Sequence, residues 1–349
     1  MAYLMKKILL LLVLGVGCFQ FTKAQNHCAT MDFYQKCLEK NPQIIENRQA
    51  LEWLTENYID NKKKETTHKI LETNTLPVVV HVVWQNEIEN ISDEQIWSQI
   101  EVLNQDFRRM NADTINIPAE FAALSADCNI EFCLATVDPE GKPTDGITRT
   151  QTNFTNIGTA TVSDTLSTTQ RIYYTLLGGK SAWNSNQYIN IWVGQMGDNL
   201  LGYASLPEIG SPLEEGMVIS YQFFGNMGTA TAPYNGGRTA THEMGHFLNL
   251  YHVWGPTSGG CSEDDFVPDT PKQSAPNYNC PIYPQTSCGS SDMFMNYMDY
   301  VNDDCMNMFT NDQNNRMEAT LNTTRAALLS SKACSEPLAI VNSECFTFI

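Results

Sequence analysis

His242-Glu243-Met244-Gly245-His246-Phe247-Leu248-Asn249-Leu250-Tyr251-His252 holds three of the chain's six histidines. On a helix, His242 and His246 stand four residues apart on one face, so both imidazoles can reach one ion. Glu243 sits beside that face, close enough to take a proton from a water that the ion activates; zinc lowers the pKa of such a water to about 7. A continuous helix would carry residue 252 about 80° off the face and roughly 15 Å along the axis. The helix must therefore stop and the chain turn back. Asn249 stands where that turn is needed, and Asn is the non-Gly residue best suited to positive φ. His252 then completes a three-histidine site with an open fourth position, the catalytic rather than the structural pattern. An accidental HExxH arises in about one chain in a hundred of this composition, and the third histidine lowers that roughly fifty-fold more. A helix of unrelated surface histidines is therefore set aside. His81 lies inside an apolar run and reads as core, while His27 and His68 carry no signal.

The surroundings of the motif alternate between strands and helices. Leu76-Pro77-Val78-Val79-Val80-His81-Val82-Val83-Trp84 is nearly continuous and β-branched, which predicts a buried strand. Ser92 and Gln95 make a capping box for a helix whose apolar face is Ile96, Ile100, Leu103 and Phe107. Residues 130–135, 188–193 and 217–221 predict three more strands, and the Gly-bounded run 201–205 predicts an edge strand. Regular patterning fades from Trp254 to Asn311, where cysteines, prolines and turn residues take over. A last helix starts at a Thr310/Gln313 capping box and carries Met317 and Leu321 inward.

At the other end, Lys6 and Lys7 precede the apolar run Ile8 to Phe19, and Thr22-Lys23-Ala24 offers a small-residue exit before Gln25. This reads as a secretory signal over 1–24. The run falls short of the roughly 20 residues a membrane anchor needs. Gly17-Cys18 leaves a lipid anchor as the lesser alternative, with Gly15 ill suited to it. Ile44, Leu51, Leu54 and Tyr58 recur at helical spacing and lead into the polar stretch Asn61-Lys62-Lys63-Lys64-Glu65-Thr66-Thr67. A short helical unit followed by an exposed basic linker reads as a removable pro-segment over 25–74, or else as a helical cap that stays attached. The 349 residues are 42% hydrophobic, which excludes wholesale disorder, and the net charge of −18 argues against nucleic acid or anionic lipid as the main partner. Eleven cysteines point to an oxidising compartment, and losing Cys18 with the leader leaves an even ten. Cys334 and Cys345 form a plausible local pair. Cys128 and Cys133 would be about 16 Å apart across a straight strand, so either a turn separates them or they pair otherwise. Asp264-Asp265-Phe266-Val267-Pro268-Asp269-Thr270 clusters hard oxygen donors of the kind Ca²⁺ takes, or is simply an acidic loop of an acidic protein.

With its flanks, the histidine motif resembles the pappalysin family of the metzincin clan of zinc endopeptidases. Gly237-Arg238-Thr239-Ala240-Thr241 leads into it and Tyr251-His252-Val253-Trp254-Gly255 leaves it, both as in that family. Asn296-Tyr297-Met298-Asp299-Tyr300 resembles its methionine turn, continued by Cys305-Met306-Asn307-Met308-Phe309-Thr310. The likeness covers roughly 76–330. Most metzincins carry Gly where this chain has Asn249, a change that pappalysin-type sequences accommodate. The resemblance implies an α+β, zincin-like metzincin fold. An upper subdomain over 75–252 would hold a twisted mixed β-sheet with helices, the zinc-binding helix among them. The lower subdomain over 253–349 would be irregular and disulfide-rich.

It further implies zinc on His242, His246 and His252, Glu243 as general base, Met298 as an apolar floor and Tyr300 as an oxyanion stabiliser. Asp303 would lie at the bottom of the S1′ pocket and select Arg or Lys after the scissile bond. Cys261 would pair with Cys288 and Cys280 with Cys305, and Asp265 and Thr270 would match a calcium site. Cys28 resembles a pro-segment cysteine that occupies the open zinc position and keeps the enzyme latent, although Cys37 is an alternative partner for it. The expected protein is a secreted, monomeric zymogen of a zinc endopeptidase, its partners being protein or peptide substrates and its own pro-segment as inhibitor, with the edge strand binding substrate by strand addition. Two rivals stand beside it. A non-catalytic extracellular binding protein would need neither Glu243 nor Tyr300. A zinc amidase acting on non-protein substrates fits the edge strand and the acidic pocket less well.

Overall fold

The apolar run at Leu76 forms β1 (Asn74–Trp84), whose eight central residues are all buried. The computed structural model describes residues 27–64, 73–159, 170–197, 200–257 and 260–335. The leader, Cys18, His68 and Cys345 lie outside them. β1 is long enough to serve three neighbours. Its first half pairs with β2 (Ile130–Leu134) and its second half with β3 (Ile147–Gln151) on one side, and β4 (Ile189–Gly194) lies on the other. β6 (Met217–Ser220) follows β4, and the short β5 (Gly202–Ala204) closes the sheet. Every pairing is parallel except that of β5 with β6. A sheet built this way must be covered on both faces, which explains why β1 and β4 read as continuous apolar runs.

α3 (Asp93–Phe107) and α4 (Arg238–Phe247) cover one face. Ile96, Leu103, Phe107, Ala240, Met244 and Phe247 pack there with Val78, Val80, Ile191 and Ile219. The other face is built around Val83, Trp192, Tyr203 and Val218 with Ile157, Ile172 and Tyr173. His81 is fully buried between Thr148 and Asn190, and burial lowers its pKa to about 3, so it is a neutral core residue as expected. The Ser92 hydroxyl caps α3 by accepting from Gln95 N at 3.2 Å. The reciprocal half of the expected box is not made. The Gln95 amide instead donates to Phe224 O at 2.8 Å and ties α3 to the loop after β6.

The chain beyond α4 has little regular structure but an extensive core. Met293, Met295, Tyr297, Met298, Met308 and Phe309 belong to the same buried cluster as α3 and α4, so the two halves share one interior. α5 (Asn311–Asn322) starts at the full Thr310/Gln313 capping box, and α6 (Ala326–Leu329) follows. Cys261–Cys288 and Cys280–Cys305 are bonded as the resemblance implied. Closing loops of this size restrains the unfolded chain by about 3 kcal/mol each. Cys334 is bonded to Cys133 rather than to Cys345, because the chain returns alongside the end of β2, where Thr136 N donates to Ala333 O at 2.7 Å. Cys128 is a buried free thiol.

Before β1 lie two helices, α1 (Thr30–Lys40) and α2 (Gln43–Lys64). Lys62, Lys63 and Lys64, read above as linker, form the last turn of α2, where cations offset the partial negative charge of the helix end. Among the described residues no helix is long and apolar enough to cross a membrane.

Candidate metal centre

α4 begins at Gly237, which adopts φ +78° and supplies no side-chain cap. Asp303 caps the helix from a distance, its Oδ2 accepting from Gly236 N at 2.7 Å and Arg238 N at 3.2 Å. From Thr239 to Phe247 every residue of the helix is buried. A Cβ at Gly245 would collide with Met298 Sδ, so this glycine is what lets the methionine lie directly beneath the helix. The helix then stops. Leu248 N and Leu250 N return to Met244 O and Gly245 O, and Asn249 takes φ +76° as its position required.

That turn brings three imidazoles together. His242 Nδ1 donates to Tyr297 O at 2.7 Å and His246 Nδ1 to Leu250 O at 2.8 Å. Both acceptors are carbonyls, so each Nδ1 carries the proton and each Nε2 is left with a lone pair. The Nε2 atoms of His242 and His252 each lie 3.1 Å from His246 Nε2. Burial pushes all three imidazoles down, His246 to about 4, so they are neutral donors to a metal. Lone pairs converging this closely repel unless a cation lies between them, so the donor set fits zinc. The ligand atoms of Cys28, His242, His246 and His252 all lie within 4.8 Å of one another. Cys28 and Cys37 are both free thiols, so the local disulfide does not form.

Cys28 arrives on a segment that adds to the edge of the sheet. It makes a parallel bridge with Gly202, and Ala29 N donates to Gly202 O at 3.1 Å. The Thr30 hydroxyl then accepts from Ala204 N at 2.8 Å and donates to Glu243 Oε2 at 2.9 Å. Glu243 Oε1 is buried without a hydrogen-bond partner. Burial raises this carboxyl to about 8 against the lowering pull of Cys28 and Thr30. Thr30 was not anticipated from the sequence, and only its position two residues after Cys28 could have marked it.

Asn296 to Tyr300 form the expected turn, and each residue from Tyr297 to Tyr300 serves the site. Tyr297 O orients His242, Met298 lies under Gly245, and Asp299 accepts from Asn277 N at 2.8 Å and Tyr300 N at 2.7 Å. The Tyr300 hydroxyl lies 3.1 Å from His252 Nε2 and 3.4 Å from Cys28 O. Burial raises its pKa far above the usual phenol value, so it stays a hydrogen-bond donor.

Beside Tyr300 a cavity is lined by Tyr234, Thr239, Met306 and Asp303. Asp303 is buried, and desolvation raises its carboxyl to about 7 despite its two backbone partners. His27, which gave no signal in the sequence, lines this cavity too. Its ring stacks on Tyr300 at 5.0 Å and its Nε2 lies 2.5 Å from Tyr234 OH. Under α4, Arg238 pairs with the buried Asp106 at 3.1 Å, and Tyr297 OH donates to the same carboxylate at 3.0 Å. In the distant acidic loop, Asp265 is buried and accepts from the Thr270 hydroxyl at 2.8 Å, and burial raises it to about 7.

Residues 179–322 match the family model described as pregnancy-associated plasma protein-A, a peptidase family. Mature mirolysin of Tannerella forsythia, solved with a cleaved peptide, is 46% identical with a TM-score of 0.70, over 76% of this chain and 99% of that one. A Tannerella forsythia promirolysin mutant is 43% identical with a TM-score of 0.73, over 87% of this chain and 96% of its own. An extracellular metalloprotease of Arthroderma gypseum is 28% identical over 74% of this chain and 76% of its own length. That of Arthroderma benhamiae is 50% identical over 101 residues, and the match spans 28% of this chain and 36% of that protein.

Proposed function

Because the chain belongs to the pappalysin family of metzincin metalloendopeptidases, we propose that it is a secreted zinc endopeptidase held latent by residues 25–74. Membership in a peptidase family sets aside the non-catalytic and amidase readings. The observation that carries the proposal is the meeting of three imidazole Nε2 atoms, an unpartnered Glu243 oxygen and the Cys28–Thr30 segment on the edge strand.

His242, His246 and His252 would hold the zinc. When bound, zinc polarises the scissile carbonyl and makes water more acidic. Glu243 Oε1 would take the proton of the attacking water and pass it to the leaving amine. The Tyr300 hydroxyl, a donor over the whole working range, would stabilise charge developing on the carbonyl oxygen. Met298 would keep the floor of the site apolar. β5 would align the substrate through backbone hydrogen bonds, using the groups that Ala29 and Thr30 now occupy. Asp303 would select Arg or Lys in the cavity now shared with His27.

In the latent chain the Cys28 thiolate would fill the fourth metal position, while Thr30 engages Glu243. Asp265 and Thr270 would contribute oxygens to a structural calcium, a cation that relieves the burial of the carboxylate.

The test is to map cleavage sites by mass spectrometry with the processed chain on a protein mixture, against zinc-loaded Glu243→Ala. Cuts before Arg or Lys that vanish in the variant are expected. Cuts of another preference would remove Asp303 from its role, and no cuts from the zinc-loaded processed chain would overturn the peptidase reading.

A further inference from the structure

α2 grips the catalytic unit from behind, at a surface separate from the ligand cluster. Its Arg48 donates to Tyr251 OH at 2.6 Å and to Pro207 O at 3.1 Å. Glu52 lies 2.5 Å from Arg316 Nη2 on α5 and 3.4 Å from Arg48 Nη2. Arg316 in turn donates from Nε to Asn249 O at 2.6 Å. Both guanidinium groups lie near the Tyr251 ring, Arg48 Cζ at 5.4 Å and Arg316 Cζ at 5.6 Å from its centroid. Asn249 and Tyr251 are the residues of the turn that delivers His252. Further along, the Tyr58 hydroxyl donates to Glu318 at 3.0 Å and Lys62 pairs with the same carboxylate. Ile44 with Met31, Phe33 and Leu38 covers Leu206 and Ile209 beside this polar seam.

We propose that the face made by Leu206, Pro207, Tyr251, Arg316 and Glu318 is a docking surface for the detached pro-segment. A cut between α2 and β1 would then leave the two pieces associated. The inference rests on reading 25–74 as a pro-segment. The surface fits an amphipathic helix that carries Arg and Glu at i and i+4 beside an apolar stripe, which describes Arg48, Glu52, Ile44 and Leu51. Arg316 is 3% exposed, and Glu52 is its carboxylate partner among the described residues. Withdrawing the helix breaks the Glu52–Arg316 pair and opens Leu206, Ile209 and Tyr251 to water, which opposes its departure. Activation therefore takes two steps, a cut and then loss or degradation of the released helices.

The experiment uses the full chain with Glu243→Ala and Cys28→Ser, so that neither proteolysis nor a thiol–metal bond acts, and with a single foreign protease site within residues 65–72. After cutting under chelator, size-exclusion chromatography with intact mass should show both pieces in one peak. Glu52→Gln with Arg48→Gln should weaken their association tenfold or more, and raising NaCl on the unsubstituted clamp should weaken it progressively, a measurement that needs no change to α2. Separation as soon as the chain is cut, or retention indifferent both to the clamp substitutions and to salt, would overturn the proposal. A parallel cut with Glu243 and Cys28 intact, followed by separation of the pieces and intact-mass proof that the helices are gone, tests the zymogen reading. Absence of any gain in peptidase activity would sink that reading alone, because co-elution does not depend on catalysis.

Discussion

The proposed preference for a basic side chain after the scissile bond should depend on pH through Asp303. Its carboxyl has two backbone donors but lies in a dry pocket, and desolvation dominates, raising it from 3.8 to about 7. Only the ionised form pairs with a guanidinium or ammonium group, so the gain from a basic residue appears as pH rises through this pKa. The ionised fraction goes from about 0.09 one unit below the pKa to about 0.91 one unit above, roughly a tenfold rise over two pH units. Loss of His27 with the pro-segment admits water, so in the processed enzyme the midpoint should fall between 3.8 and about 7. The assay compares kcat/KM for two peptides that differ only by Arg or Gln after the scissile bond, from pH 4.5 to 8.5. Their ratio cancels the titration of Glu243 and of any metal-activated water, which act on both substrates alike. Asp303→Asn should flatten the ratio and lower its plateau by about tenfold or more, the range for losing a desolvated charge pair. A steep ratio surviving in Asp303→Asn would assign the selectivity elsewhere, and a flat ratio in the unsubstituted enzyme would refute the titration argument.

Cys28→Ser should give the uncut chain measurable peptidase activity on a fluorogenic peptide; an uncut variant as silent as the parent would mean that the rest of the segment blocks the site unaided. Asn249→Gly should raise the melting temperature of the metal-free chain by about 1–3 °C, since it relieves a residue at φ +76° and removes two buried amide atoms that lack partners, against a smaller entropy cost. A clear fall would show that the asparagine side chain contributes a contact of its own. Millimolar Ca²⁺ should raise the melting temperature of the parent and leave Asp265→Asn unchanged, and an equal rise in both would move the calcium elsewhere.

The zinc helix, its stop at Asn249, both capping positions and five of the six strands of the main sheet were legible because each depends on local periodicity or on backbone conformation. β3 was not, because its residues Thr148, Arg149, Thr150 and Gln151 present little apolar pattern, and its partner β1 supplies the pairing. α1 was missed for a related reason, since Ala29 at its start makes no side-chain cap and the helix is held by packing on Leu206 and Ile209. The Cys133–Cys334 bond spans 201 residues and depends on where the chain end returns, which spacing alone does not encode. His27 is the instructive miss. A histidine beside a candidate metal cysteine has no periodicity to mark it, and its place in the Asp303 cavity follows from the fold of the lower half.

Among its described residues, the stretch between α4 and α5 has only two-residue strands and a single 3-10 turn, for a reason tied to the site. His242 and His246 each need a carbonyl to hold the Nδ1 proton, and a carbonyl inside a helix or a ladder is already engaged. Tyr297 O lies in the methionine turn and Leu250 O lies just past the end of α4, both outside regular structure. An irregular segment therefore supplies free acceptors, but it forgoes the hydrogen-bond ladders that would fix its shape. Two disulfides and a continuous methionine-rich core replace them, and Asp299 and the Asn296–Gln313 amide pair satisfy the polar groups that remain. α2 packs against the same irregular turn, Arg48 donating to Tyr251 OH and Glu52 pairing with Arg316. The turn that delivers His252 is held by single hydrogen bonds rather than by a ladder, and Arg316, the partner of Glu52 on α2, supplies one of them at Asn249 O.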